Sequence, residues 1–192
     1  MRWAPLALPL LLLPAIARAD EPPAHRFAVG VNVLQPALYG IASSFFEESL
    51  LLPVPIEAHV HIHDRWGLTG TLQYRRHKDG DLSVNGLGLF VGPRLRLTGR
   101  DLDGLYATLK VGLAFNGGRD YFQATYNRLD FVLQPELGYA VILGPVYLGF
   151  GAGFEGQIPV FQDRSGTWTW NGLGLMVTSY LPVANLTVAF VY

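Results

Sequence analysis

Four side chains with metal-ligand chemistry stand at every second position of the sequence, Glu57, His59, His61 and His63. In a β-strand, residues spaced by two project from the same face. A His-x-His pair can present two imidazoles to one zinc or copper ion, and a carboxylate can supply a third ligand or orient a ring. These four residues are the best metal candidates in the chain, but without cysteine or a remote second ligand set the sequence favours no metal site.

The alternative interpretation is that these side chains fill the interior of a small closed sheet and pair with Arg94, Arg96 or Lys110. Four acids and four bases share the inward positions of the predicted strands. The network comprises Glu57, Arg75, Arg94, Arg96, Lys110, Asp130, Glu136 and Glu155. Because charges in a low-dielectric interior need partners, we predict ion pairs that plug the interior.

Catalytic chemistry has less support in the sequence. Several serines stand in or beside predicted outer loops, and His77 is the one loop histidine that could activate them. The serines are Ser43, Ser44, Ser49, Ser83 and Ser165. Spacing fixes no Asp or Glu beside His77, so we predict no catalytic residue.

Composition excludes several classes of protein. The chain has 192 residues, no cysteine and a net charge of −1, which excludes a disulfide framework and the basic footprint of a nucleic-acid binder. Residues 151–156 match the Gly-x-Gly-x-x-Gly fingerprint, but Pro159 follows instead of a helix. We therefore predict no cofactor.

The N-terminus has the pattern of a secretory signal peptide. Arg2 precedes an apolar run from Leu6 to Ile16, and a small-x-small cleavage site ends at Ala19. The run is too short for a permanent spanning helix of roughly 20 residues. We predict that residues 1–19 are removed and that residues 20–192 form one exported domain.

Apolar and polar residues alternate along most of the remaining chain. From Leu105 to Phe115 most odd positions carry large apolar residues, while the even positions include Tyr106, Thr108 and Lys110. Such segments are about 9 to 14 residues long, which suits tilted membrane strands better than ordinary strands of about 5 to 6 residues. The polar face is small and rich in Gly, Thr, Asn and Tyr, which indicates a polar interior with lipid outside.

Loop lengths and aromatic positions agree with this interpretation. Short connections predicted at 64–65, 98–104 and 144–145 alternate with longer polar stretches at 76–81, 117–127 and 158–166. Aromatic residues such as Trp66, Tyr74 and Tyr139 lie near segment ends, where membrane-interface girdles form. The short turns are expected in the periplasm and the long loops outside the cell.

The closing stretch carries a resemblance to known proteins. Leu186, Val188, Phe190 and Tyr192 alternate up to the C-terminus, which resembles the terminal strand that the barrel-assembly machinery reads. With the signal peptide, the chain resembles the small eight-stranded OmpA-like or OmpX-like barrels over nearly its whole mature length. The likeness implies an all-β, antiparallel transmembrane β-barrel in the Gram-negative outer membrane, with lipid, lipopolysaccharide and the assembly machinery as partners. It is architectural and does not single out one family.

Strand number and function leave alternatives open. Nine segments show alternation, but such barrels have an even number of strands. We predict eight, with residues 168–180 or 186–192 forming an excursion or part of one bent strand. The alternative is ten, with an extra strand in 39–52, a stretch that equally fits a short amphipathic helix or a loop. The predicted function is structural or surface-interacting, with a narrow channel and a lipid A-modifying enzyme as alternatives, and the partner of the outer loops stays open.

Overall fold

The computed structural model of the chain describes residues 26–44, 49–119, 125–164, 167–170 and 179–192. The predicted signal peptide lies outside these residues. The described elements are nine strands and one helix. In chain order they are β1 (Phe27–Asn32), α1 (Leu34–Ser44), β2 (Ser49–His63), β3 (Trp66–Asp79), β4 (Leu82–Arg96), β5 (Gly104–Arg119), β6 (Thr125–Leu143), β7 (Val146–Arg164), β8 (Thr167–Trp170) and β9 (Ser179–Val191).

Eight of the strands form a ring that closes on itself through antiparallel hydrogen-bonded ladders. Each of β1 to β6 pairs with the next strand, β7 pairs with β9, and β9 pairs back with β1. The all-β class and the eight-stranded count are therefore confirmed, and the ten-stranded alternative is wrong. Among the described residues, no helix is long and apolar enough to cross a membrane.

The short strand β8 explains the ninth segment of the sequence. It pairs with the last residues of β7, Phe161 to Arg164. β9 pairs with the same edge of β7 from Val146 to Gln157. The segment near Trp168 is therefore the excursion that we expected from the even strand count.

Burial alternates along the strands of the ring with the predicted period of two. On β5, Leu109 is 46% exposed on the outward face, whereas the neighbouring Lys110 is 2% exposed on the inward face. The outward faces carry most of the large apolar side chains, and the inward faces carry most of the buried polar ones. The terminal end of the ring is the end that holds Arg26, Tyr192 and the turn at 64–65. The distal end is the opposite end, which holds the turn at 80–81.

The predicted long loops are wrong wherever the structure describes them. β3 continues to Asp79 and turns at once into β4, with Gly80 at a φ of 53°. β5 continues to Arg119 and β7 to Arg164. The backbone ladder of β3 and β5 continues into residues that are polar or glycine on both faces, so no alternation is left in the sequence there. In β7 the pattern is broken by a bulge, since Leu129 pairs with Phe161 but Asp130 pairs with Pro159.

Helix α1 takes the place of the distal part of strand β1 in the ring. β1 stops at Asn32, whose Oδ1 accepts hydrogen bonds from the backbone N–H groups of Leu34 at 3.1 Å and Gln35 at 3.2 Å. This is an N-cap, and Pro36 in the first turn costs no helical hydrogen bond. The helix packs against both β2 and β9. The stretch 39–52, left open in the sequence, thus contains the end of a helix and the start of β2.

The strands that flank α1 lack N–H groups where a neighbouring strand is missing. The His61 N–H points to β1 and donates to the Arg26 carbonyl, so Pro53 and Pro55, an even number of residues away, direct their nitrogens to the same side. On β9, the Leu186 carbonyl accepts from the N–H of Val33, the residue between β1 and α1, and Pro182 shares that direction. Proline has no N–H, so these three positions leave no donor unpaired.

Candidate functional site

The centre of the ring holds a lysine between two carboxylates. The Lys110 Nζ lies 3.4 Å from Glu136 Oε2 and 3.8 Å from Glu57 Oε1, and it donates a hydrogen bond of 3.2 Å to Thr71 Oγ1. Lys110 stands on β5 and Glu136 on the adjacent β6, whereas Glu57 stands on β2, which is not a neighbour of β5. The lysine therefore links strands across the interior.

Both carboxylates have further hydrogen-bond donors. Glu136 accepts from the Tyr106 hydroxyl at 3.0 Å and from Asn185 Nδ2 at 2.6 Å. Glu57 accepts from the Thr187 hydroxyl. These bonds compensate for the loss of water that burial imposes on the two negative charges.

Arg94 has aromatic and carbonyl partners in place of the carboxylate that we expected. Its Nη1 donates to the Tyr147 hydroxyl at 2.8 Å, and its Nη2 donates to the Leu102 carbonyl at 3.0 Å. The guanidinium carbon lies 3.7 Å from the centre of the Tyr106 ring. A planar guanidinium can make these three contacts together, which an ammonium cannot.

The other predicted bases lie nearer the two ends. Arg96 donates to the backbone carbonyls of Asp64 and Asp101 at the terminal end. Towards the distal end, Arg75 forms an ion pair with Glu155 and also donates to the Gln73 side chain.

Asp130 is paired with a base that the sequence analysis did not include. Arg128 Nε lies 2.8 Å from Asp130 Oδ1 and donates to Oδ2 at 2.8 Å, and Asn116 Nδ2 donates to the same Oδ2. Arg128 was predicted to lie at a loop boundary, but it stands on β6 two residues before Asp130 and shares its inward face.

The four metal candidates do not converge. Glu57 and His59 are buried, with His59 Nε2 3.6 Å from Glu57 Oε2 and without a hydrogen-bond partner. His61 is half-buried, and His63 is exposed beside Asp64 at 3.2 Å. Among the described residues, no three His, Asp or Glu side chains are grouped so that they could hold a metal ion.

An apolar layer closes the interior near the terminal end. Leu102, in the turn between β4 and β5, is 2% exposed and packs with the inward Tyr106 and Tyr147. The turn at 98–104 was expected to be polar, and Leu102 stands in it between Asp101 and Asp103. The turn instead folds Leu102 into the ring.

Inward glycines supply the space that the large side chains occupy. A Cβ at Gly138 would lie 2.4 Å from the Tyr106 ring, and a Cβ at Gly151 would lie 2.3 Å from Glu136 Oε1. The repeated glycines of the inward face were visible in the sequence. Their pairing with particular large residues on neighbouring strands was not.

The possible serine and histidine pair is not formed by the described residues. His77 is on the inward face of β3, so the next residue, Lys78, is on the outward face. Ser83 of β4 pairs with Lys78 and therefore shares the outward face, away from His77. The side chains of Ser43, Ser44, Ser49 and Ser165 lie outside the described residues.

The C-terminal residues of the predicted assembly signal lie at the seam between the first and last strands. Phe190 points outward and pairs with Val29 of β1. The Tyr192 N–H donates to the Phe27 carbonyl at 2.9 Å, and its carbonyl accepts from the Arg26 and Phe27 N–H groups. The end of the chain is thereby tied to β1.

Two polar residues that complete the central cluster were not among the predicted interior residues. Asn185 and Thr187 belong to an Asn-x-Thr sequence, and both are buried on the inward face of β9. The alternation of Leu186 and Val188 with these residues was the available signal.

Comparison with protein-family models, with curated proteins and with solved structures finds no match for this chain.

Proposed function

We propose that the protein is an integral β-barrel of the Gram-negative outer membrane with a sealed interior, acting through its structure and its surface. The observation that carries the proposal is the inverted burial of the ring. Among the described residues, nineteen polar or charged residues are buried, against eleven hydrophobic ones, while thirty large hydrophobics are exposed. Exposure of so large an apolar surface to water is unfavourable, whereas lipid chains would cover it.

The ring of hydrogen bonds supports the same proposal. In hydrocarbon every backbone polar group needs an internal partner, which a closed sheet supplies. Where the sheet is interrupted beside α1, Pro53, Pro55 and Pro182 remove three donors that lipid could not satisfy. The exposed Ala37, Leu38 and Ile41 of α1 extend the apolar surface across this interruption.

The burial of the inward side chains favours a sealed barrel over a channel. Side chains that line a water-filled pore are exposed to solvent. In the structure Tyr147 is 0% exposed, and Lys110 and Leu102 are each 2% exposed. Apolar packing at Leu102 and the ion pairs of Lys110 close the interior at two successive levels.

Two experiments on the full-length protein test the proposal. Refolded into lipid vesicles, it should migrate differently in detergent gels before and after boiling, because a closed barrel resists SDS until heated. In planar bilayers it should give no stepwise conductance under conditions in which a general porin does. Identical migration in several detergents would contradict the barrel, and reproducible conductance steps would favour the channel.

A further inference from the structure

The outward faces of β3, β4 and β5 form regular rows across the three strands at the distal end. Paired residues share a row, and the row of Tyr74, Leu87 and Phe115 is exposed and apolar. The next row towards the distal end begins with Arg76, and the row after that runs from Lys78 to Arg119. Successive rows on one face are about 7 Å apart, so the surface changes from apolar to cationic within one step.

The three cations, here called the distal basic patch, are Arg76, Lys78 and Arg119. All three are exposed. No Asp or Glu stands at an outward position of the described strands β3 to β6. The nearest acids in sequence are Asp79, which alternates with the outward Lys78 along β3, and Asp81 in the turn. At the terminal end, exposed His63 lies 3.2 Å from Asp64. The outward positions of β3, β4 and β5 near the distal end therefore carry charge of one sign.

We propose that the distal basic patch binds the phosphate groups of lipid A in the outer leaflet, while the acyl chains lie on the apolar rows below. The inference rests on the membrane-spanning barrel proposed above and on the expectation that the short turns, such as the one at 64–65 at the terminal end, lie in the periplasm. Phosphate groups complement the charge of the patch, and Arg and Lys bind them through charge-assisted hydrogen bonds. The apolar rows fit the chains of the same molecule, which a free anion would not use.

The spacing of the patch suits a headgroup with more than one anionic group. Ser83 pairs with Lys78 on one side and with Arg119 on the other, so the two cations are two strands, or about 10 Å, apart. Ser83 and Asn85 offer hydrogen-bonding groups between them. Gly117, in the row of Arg76 and Asn85, carries no side chain to fill the space.

The test compares two double variants of the full chain in nanodiscs of zwitterionic lipid. Lys78→Gln with Arg119→Gln removes two charges from the patch, and Arg26→Gln with Arg65→Gln removes two exposed charges at the terminal end. Because each membrane-proximal cation contributes a modest, similar attraction, the patch variant should bind bisphosphorylated lipid A roughly 30-fold more weakly than the wild type. The terminal-end variant should bind it like the wild type, and dephosphorylated lipid A should not distinguish the three proteins.

Several results would overturn the inference. Equal losses in the two variants would mean that only net charge matters, and an unchanged affinity in the patch variant would exclude these cations. Inorganic phosphate binding as tightly as lipid A would replace the lipid with a free anion. If the wild-type protein inserts and is heat-modifiable but shows no phosphate-dependent binding, the patch alone is refuted. If the wild-type protein fails to insert, the proposed function is refuted.

Discussion

The guanidinium carbon of Arg94 lies 3.7 Å from the centre of the Tyr106 ring, on adjacent strands of the closed sheet. The side chain of Arg94 is 3% exposed and also reaches Tyr147 and the Leu102 carbonyl. One cation thus connects β4, β5, β7 and the turn that closes the terminal end. The face of the Tyr106 ring and the dipole of the Leu102 carbonyl stabilise its positive charge.

Replacing Arg94 with lysine should lower the free energy of unfolding by about 2–4 kcal/mol, because an ammonium cannot stack on Tyr106 and keep both hydrogen bonds. Denaturant titration of protein refolded in lipid vesicles measures the loss. Arg65→Lys, at an exposed turn position, is the control and should change little. Equal stability of Arg94→Lys and the wild type would show that charge alone holds this region.

Loss of Lys110 should destabilise the protein more than loss of the charge of one of its two carboxylate partners. Lys110→Met leaves Glu57 and Glu136 without their shared cation and should cost about 3–5 kcal/mol. Glu136→Gln should cost less, because Lys110 keeps Glu57 at 3.8 Å and the new amide can still bond to Tyr106. The same titrations rank the variants, and a larger loss in Glu136→Gln would contradict the shared pairing.

The outward neighbour of Lys110 tests the proposed lipid contact. Leu109→Arg should destabilise the protein in vesicles by roughly 2–4 kcal/mol if the site lies near the bilayer midplane, since a charge then enters hydrocarbon. Leu109→Ala keeps the site apolar and should be mild. A harmless arginine would argue against lipid at this face.

Asp103, in the turn that carries Leu102, should make stability depend on pH. Burial raises the pKa of Asp103 above its ordinary 3.8, against the opposing effects of the Gly104 N–H and of Arg96. Its ionisation therefore costs stability as the pH rises through the folded pKa, and the cost is absent below the unfolded pKa. Asp103→Asn should be more stable than the wild type at pH 7 and equal to it near pH 3.

Denaturant midpoints at the two pH values measure this effect. A pH-independent difference between Asp103→Asn and the wild type would mean that the carboxyl does not titrate differently in the folded and unfolded protein.

Local alternation was enough to predict the face of most residues within the alternating segments. Leu109 and Lys110 fall on the predicted sides, and so do Glu57 and Ile56 on β2. A period of two is a property of the backbone, so the sequence displays it wherever the two faces meet different surroundings. Tight turns at 64–65 and 144–145 were visible for a similar reason, since their residues interrupt the pattern.

Contacts across the interior could not be predicted in the same way. Thr187 reaches Glu57, and Lys110 spans from β5 to β2, because closing the ring decides which inward residues meet. That choice depends on strand tilt and stagger, which no single segment encodes. The burial of Leu102 was hidden for another reason: its polar neighbours in the turn mask one inward residue.

Strand β1 forms the two shortest ladders in the ring, each with five residue pairs, because α1 takes the place of a longer strand. The ladder between β1 and β9 runs from Ala28 to Asn32. These two strands are also farthest apart in the chain, so their pairing carries the largest loop-closure entropy and should form last in folding. In the folded protein, few hydrogen bonds must break to open the ladder between β1 and β9. The amide hydrogens of this ladder should therefore exchange with water ahead of those between β5 and β6.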